Sequence, residues 1–139
     1  FRRVLFRSTI LQAPKLTIDG DRTLHSQGVI ERRVVWNLIA KLKAAGFTSV
    51  AVYDGEEYTK TPDAQAAMEL IFNLDDAWLR FIQSTDAEAY AADPDSVNEH
   101  GILLVLGTGE DIISDWNYSA DDADGFNAAM DKIVMEQNF

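Results

Sequence analysis

The segment from residue 101 to residue 116 constrains the fold of this chain more than any other. Residues 101–106 (GILLVL) and 110–116 (EDIISDW) flank the short turn Gly107-Thr108-Gly109. Two β-type runs joined by a glycine turn pair as an antiparallel hairpin. The five consecutive apolar residues of the first run need cover on both faces, so the hairpin predicts a central strand of a larger sheet.

The upstream sequence supplies the rest of that sheet and its cover. From about Gly28, the residues Ile30, Val34, Leu38, Ile39, Leu42 and Ala45 recur at steps of three and four, and Gly46 stands where a helix C-terminus favours a left-handed residue. Residues 47–53 (FTSVAVY) then read as a strand stopped by Asp54-Gly55. Thr61-Pro62 predicts the start of a second helix, with Met68, Ile71 and Phe72 on its buried face, running to about Asn73. Residues 77–83 (AWLRFIQ) alternate as a strand, with Trp78, Arg80 and Ile82 on one face and Leu79 and Phe81 on the other.

Residues 84–99 are rich in Ala, Asp, Ser and Asn, contain Pro94, and exceed an ordinary connection. They read as a functional or mobile excursion with room for a short helix near 86–91. Ser119 and Asp122 imitate a capping box ahead of a last helix whose inner face is Ala123, Phe126, Met130, Ile133, Val134 and Gln137. A further short strand is expected at Lys15–Ile18, before the turn signal Asp19-Gly20-Asp21. The order α-β-α-β-β-β-α, with that first strand added, predicts an α+β fold. One mainly antiparallel sheet of four or five strands carries about three helices packed against it.

With 139 residues, 47% of them hydrophobic and 25% charged, the chain falls in the range of a single globular domain. The first eight residues, FRRVLFRS, differ in character from the rest. They resemble adapter-derived translations at the start of metagenomic reading frames, so a non-native leader over 1–8 and a single α+β domain over 9–139 are expected. There are no cysteines, which excludes disulfides, thiolate metal sites and cysteine nucleophiles. No apolar run approaches the ~20 residues of a membrane span, and a cytoplasmic location is expected.

Charge is distributed unevenly. Between Phe81 and Asp131 there is no lysine or arginine, while twelve acids fall in the same stretch. The net charge is −11, and setting aside the three arginines of the leader takes it to −14. Such a surface repels nucleic acid and attracts basic partners, so direct nucleic-acid binding is not expected. A solvated acidic face that serves only solubility explains the same residues.

Four constellations imitate chemistry. Asp115, Asn117, Ser119 and Asp121 copy the opening of an EF-hand loop, but Ala120 replaces the sixth-position glycine and Phe126 the twelfth-position acid, so no metal site is expected. Gly107-Thr108-Gly109 suggests a phosphate loop, yet no P-loop lysine is present and a strand follows, which favours the hairpin. Ser114 beside Asp115, with His25 or His100 as base, lacks a nucleophile elbow, and His100 reads as a surface residue; no catalytic residue and no cofactor is expected. Among the aromatics, Trp36 and Trp78 read as core. Trp116 and Tyr118 close a strand at the rim of the acidic region, where either core packing or a partner contact fits them.

The string GTGEDIISDW, with its preceding apolar strand and following helix, resembles a pattern in small acidic proteins encoded by phages, plasmids and other mobile elements. The likeness covers the last hairpin best and brings no activity, cofactor or catalytic residue with it. It implies a context in which such proteins bind and block a host protein. The expected function is therefore a protein-interaction module acting on a basic, nucleic-acid-binding or defence protein. Asp111, Asp115, Asp121, Asp122 and Asp124 would supply carboxylates, and Trp116, Asn117 and Tyr118 the anchor. The alternative is a small-molecule or nucleotide-binding module with a pocket between the last hairpin and the 84–99 loop, around Tyr90, His100, Trp116 and Tyr118. An enzyme built on the carboxylates ranks third.

Overall fold

The computed structural model describes residues 20–117 and 122–136, with side chains from Gly28 onward. Its order is α1 (Gly20–Ala44), β1 (Phe47–Tyr53), β2 (Tyr58–Lys60), α2 (Ala64–Ile71), β3 (Asp76–Gln83), α3 (Ala87–Ala92), β4 (His100–Val105), β5 (Ile113–Asn117) and α4 (Phe126–Glu136). The strands form one antiparallel sheet in the order β2-β1-β3-β4-β5. The α+β class, the antiparallel sheet and the helical cover agree with the expectation from sequence.

Side-chain alternation assigns the two faces. Val52, Leu79, Phe81, Ile102, Leu104 and Ile113 point to one side and join a continuous core with Val34, Val35, Leu38 and Leu42 of α1, Ala67 and Ile71 of α2, and Phe126 and Met130 of α4. Burying each large apolar side chain contributes about 1.5–3 kcal/mol, which makes this helical face the main source of stability. Among the described residues, the other face is only partly covered. A β-bulge between Ser49 and Ala51 shifts the β1–β3 register, and Val50 and Ala51 both join Ile82 beneath Tyr90 of α3 and Val97.

Three local readings are corrected. The N-cap of α2 is Asp63, whose carboxylate accepts the Ala66 N–H at 2.9 Å; Thr61 is buried, and its own N–H bonds Val50 O at 2.9 Å. Pro62 therefore precedes the cap and does not occupy the first helical turn. The edge strand β2 went unread because three residues are too few for an alternation signal. Glu110 and Asp111 lie in a 3-10 turn, Gly109–Asp111, and only Ile113–Asn117 pairs with β4. The short helix expected near 86–91 is present as α3, which with the 3-10 turns Ser84–Asp86 and Pro94–Ser96 makes residues 84–99 a cap. The strand expected at Lys15–Ile18, the leader, and the Ser119 half of the capping box fall outside the described residues. No helix among the described residues is long and apolar enough to cross a membrane.

Candidate functional site

The half of the sheet that α3 leaves uncovered is the most distinctive surface of the molecule. The registers Tyr53↔Trp78↔Leu103↔Asp115 and Arg80↔Gly101↔Asn117 place these residues in two adjacent rows on one face. Tyr58 extends the first row through its pairing with Tyr53. Tyr53, Trp78 and Leu103 are half-buried, Tyr58 is 38% exposed, and Asp115 and Asn117 are exposed. An apolar and aromatic strip thus lies open to solvent between a β2 edge and a β5 edge.

Carboxylates line one end of that strip and its β5 edge. Asp54, Glu56 and Glu57 in the β1–β2 turn, Asp75 and Asp76 at the start of β3, and Asp115 on β5 are all exposed at the same end of the sheet. Asp54 accepts the N–H groups of Glu57 and Glu56, which holds its carboxyl below the usual carboxylate range and keeps that turn charged. The cations that the five strands contribute to this face are Lys60, which lies over the Tyr90 ring at 5.4 Å, and Arg80.

Arg80 occupies the centre. Its side chain is 23% exposed, its guanidinium lies 5.8 Å from the Tyr53 ring centre, and its Nε stands 4.0 Å from Glu99 Oε1 without a hydrogen-bond acceptor. Gly101 makes this packing possible. A Cβ there would sit 2.8 Å from Arg80 Nη1, 2.9 Å from Trp78 Cε3 and 3.2 Å from Asn117 Oδ1, so three side chains meet over the bare backbone. Asn117 Oδ1 accepts the Gly101 N–H at 2.7 Å, which turns the amide nitrogen of Asn117 away from the backbone.

The border with α3 is pinned by hydroxyls. Tyr58 donates to Glu99 and lies 2.7 Å from the Tyr90 hydroxyl. Burial, then the Glu99 hydrogen bond, push the Tyr58 phenol far above its ordinary value, and burial raises Tyr90 as well. This triad fastens the 84–99 segment to the edge strand.

The residues singled out from sequence do not form one patch. Asp115 and Asn117 lie on the open face. Trp116 points to the opposite side, packs against the core and donates its indole N–H to Asn127 Oδ1 at 2.9 Å. Asp111 belongs to the 3-10 turn beside α1. Asp122, at φ 50°, caps α4 by accepting the N–H groups of Asn127 and Ala128 at 2.7 and 3.3 Å. Asp124 is buried against His100, and Tyr118 and Asp121 lie outside the described residues.

His100 is fully buried, contrary to its reading as a surface residue. Its ring stacks on Phe126 at 4.6 Å and meets Phe47 edge-on at 6.1 Å. Trp36, expected in the core, is 49% exposed on α1, and Trp78 stands on the open face. The glycine turn holds an internal carboxylate: Glu31, 4% exposed, accepts the Gly109 N–H at 2.6 Å, and the backbone N–H groups of Gly107 and Thr108 also act on it. Its place as an anion cradle is taken by the protein itself.

Sequence reasoning missed Tyr53 and Arg80 as surface elements, and the buried Gly101 beneath Arg80 and Trp78. The alternation of 77–83 had already put Trp78 and Arg80 on a common face, and an arginine there was the signal that this face meets water. No group of three or more potential metal ligands occurs among the described residues. No family model, curated protein or solved structure matches this chain.

Proposed function

We propose that this chain is an acidic protein-interaction module that docks a basic partner on the uncovered half of its sheet. The observation that carries this reading is the strip Tyr58, Tyr53, Trp78 and Leu103, open to solvent and bordered by Asp54, Glu56, Glu57, Asp75, Asp76 and Asp115. An aromatic centre within a charged rim is the usual anatomy of a protein interface. The net charge of −11 adds steering towards a positive surface and supports a partner whose own ligand is a polyanion. In this reading the module occupies the phosphate-binding surface of a nucleic-acid-binding or defence protein. The resemblance of the last hairpin to mobile-element proteins fits such a role.

The pocket alternative has less support, because the residues it needs are divided by the sheet. Tyr90 packs on the α3 side, while His100 and Trp116 belong to the helical side.

The test is affinity capture followed by direct titration. The wild-type domain should retain a basic protein at low salt, release it as salt rises, and release it to added duplex DNA. An Asp76→Lys/Asp115→Lys variant with an unchanged melting profile should retain none. Retention that is indifferent to these two substitutions, or no retention at all, would remove the docking face from consideration.

A further inference from the structure

Trp36 is a large apolar side chain left 49% exposed on α1, on the helical side of the molecule. The solvent ridge of that helix reads Arg32, Trp36, Ala40 and Lys43, at steps of four, four and three. Across a groove of about 250 Å³, Arg32 and Trp36 face Gln65, Met68 and Glu69 of α2. Arg32 reaches over the Phe72 ring at 4.5 Å, and the exposed Glu69 carboxylate accepts a long hydrogen bond from Gln65 Nε2 at 3.3 Å. Among the described residues, Arg32 and Glu69 form no ion pair with each other. The groove thus has an apolar centre, Trp36 and Met68, with a cation on its α1 wall and an anion on its α2 wall.

Charge restricts what can cover it. From Gly28 to Ala44, α1 carries four cations, Arg32, Arg33, Lys41 and Lys43, and a single acid, Glu31, which is buried in the glycine turn. A chain of net charge −11 repels its own copies over most of its surface, and the α1 side is where that repulsion is least. We infer that the α1–α2 groove is the interface of a two-fold homodimer. A two-fold axis along the groove lays α1 of one copy over α2 of the other, so that each Arg32 meets Glu69 of the other copy and each Trp36 packs over Met68 of the other copy. An apolar centre with one charge of each sign on opposite walls is complementary to itself under that rotation, which is what an isologous contact requires. Tryptophan and arginine are also the residue types that carry most of the binding energy at interfaces. The open half of the sheet lies across the core from α1 and α2, so the dimer leaves both docking faces accessible and stands independently of the docking reading.

Sedimentation equilibrium of the full chain tests the contact. The mean mass should rise from monomer towards dimer over about 1–100 μM. Trp36→Ala should weaken association about tenfold or more. Arg32→Glu and Glu69→Arg should each weaken it about tenfold alone, since each sets like charges together twice per dimer. An equimolar mixture of these two variants should dimerise as the wild type does, because position 32 of each copy then meets the opposite charge at position 69 of the other. Asp76→Lys/Asp115→Lys should leave the dimer intact, which keeps this outcome separate from partner capture on the sheet. A monomer at about 100 μM, a dimer indifferent to Trp36→Ala, folded charge variants that stay monomeric when mixed, or loss of the dimer in Asp76→Lys/Asp115→Lys would each overturn the two-fold contact.

Discussion

The imidazole Nε2 of His100 and the carboxylate Oδ2 of Asp124 lie 2.7 Å apart, with side chains 0% and 6% exposed. This bond fastens the start of α4 to the interior strand β4, beside the stacked rings of His100 and Phe126. His100 Nδ1 and Asp124 Oδ1 have no hydrogen-bond partner among the described residues, so the pair depends on its single mutual bond. Asp124→Ala should therefore destabilise the fold by about 1–3 kcal/mol, because it leaves a buried polar ring unsatisfied. Adding His100→Leu should recover part of that loss, since removing both partners costs less than removing one. Urea unfolding of the two single variants and the double variant measures the coupling; strict additivity would show that the bond contributes nothing.

Glu31 ties α1 to the turn before β5 by accepting the Gly109 N–H at 2.6 Å. Burial pushes its carboxyl above the ordinary value of 4.5, against the opposing pull of the Gly109, Gly107 and Thr108 N–H groups. A raised folded-state pKa contributes stability that is present below pH 4.5 and lost as pH rises through the folded value. Glu31→Gln lacks this titration. Its stability relative to wild type should consequently rise between about pH 4 and pH 7. Glu31→Ala should cost about 1–3 kcal/mol at either pH, by leaving buried N–H groups without an acceptor. Denaturation at both pH values decides: a relative stability of Glu31→Gln that is flat or falls with pH excludes this role for the carboxylate.

Tyr58 holds the 84–99 segment through Tyr90 and Glu99. Removing its hydroxyl with Tyr58→Phe should cost about 1 kcal/mol and speed amide exchange in α3 more than in β3. Because the phenol is raised above 10.0, its share of stability is present below that pH and lost as pH rises through the folded value. The gap between wild type and variant should narrow in strong alkali. Uniform exchange across the sheet in the variant would show that the hydroxyl is not a clamp for α3.

The architecture was legible because its signals are long. The helical period after Gly28, the run FTSVAVY and the hairpin around Gly107 each extend over enough residues for periodicity to decide. The surface was less legible, because a face depends on what covers it. Trp36 and Trp78 fit apolar patterns equally well inside or outside; helix packing and the limited reach of α3 left both towards solvent. His100 was misread for the converse reason. Its polar partner among the described residues, Asp124, is remote in sequence, and the aromatic neighbours that bury it come from β1 and α4. Acid clusters mislead in a similar way. Asp122 and Asp124 look like free surface charge in a string, yet one caps a helix and the other is enclosed.

Gly101 gives the most direct test that the open face works as a unit. Its backbone is ordinary strand, so alanine there carries no conformational penalty and limits the unfolded chain, a gain of about 0.4–1 kcal/mol. Against that gain, the new Cβ would meet Arg80 Nη1 at 2.8 Å and Trp78 Cε3 at 2.9 Å. The flexible end of Arg80 can swing aside; the Trp78 ring must tilt, and overpacking of this kind typically costs about 1–3 kcal/mol. Gly101→Ala should thus lose at most about 2.6 kcal/mol of stability. Partner affinity should fall roughly tenfold, because the arginine and tryptophan that centre the face are both displaced. The paired measurement is a chemical melt and a titration, with the Trp78 indole resonance as the witness that the ring has moved. Wild-type affinity alongside a shifted Trp78 resonance would place the partner elsewhere on the molecule, and an unshifted resonance would mean that the strand itself gives way at Gly101.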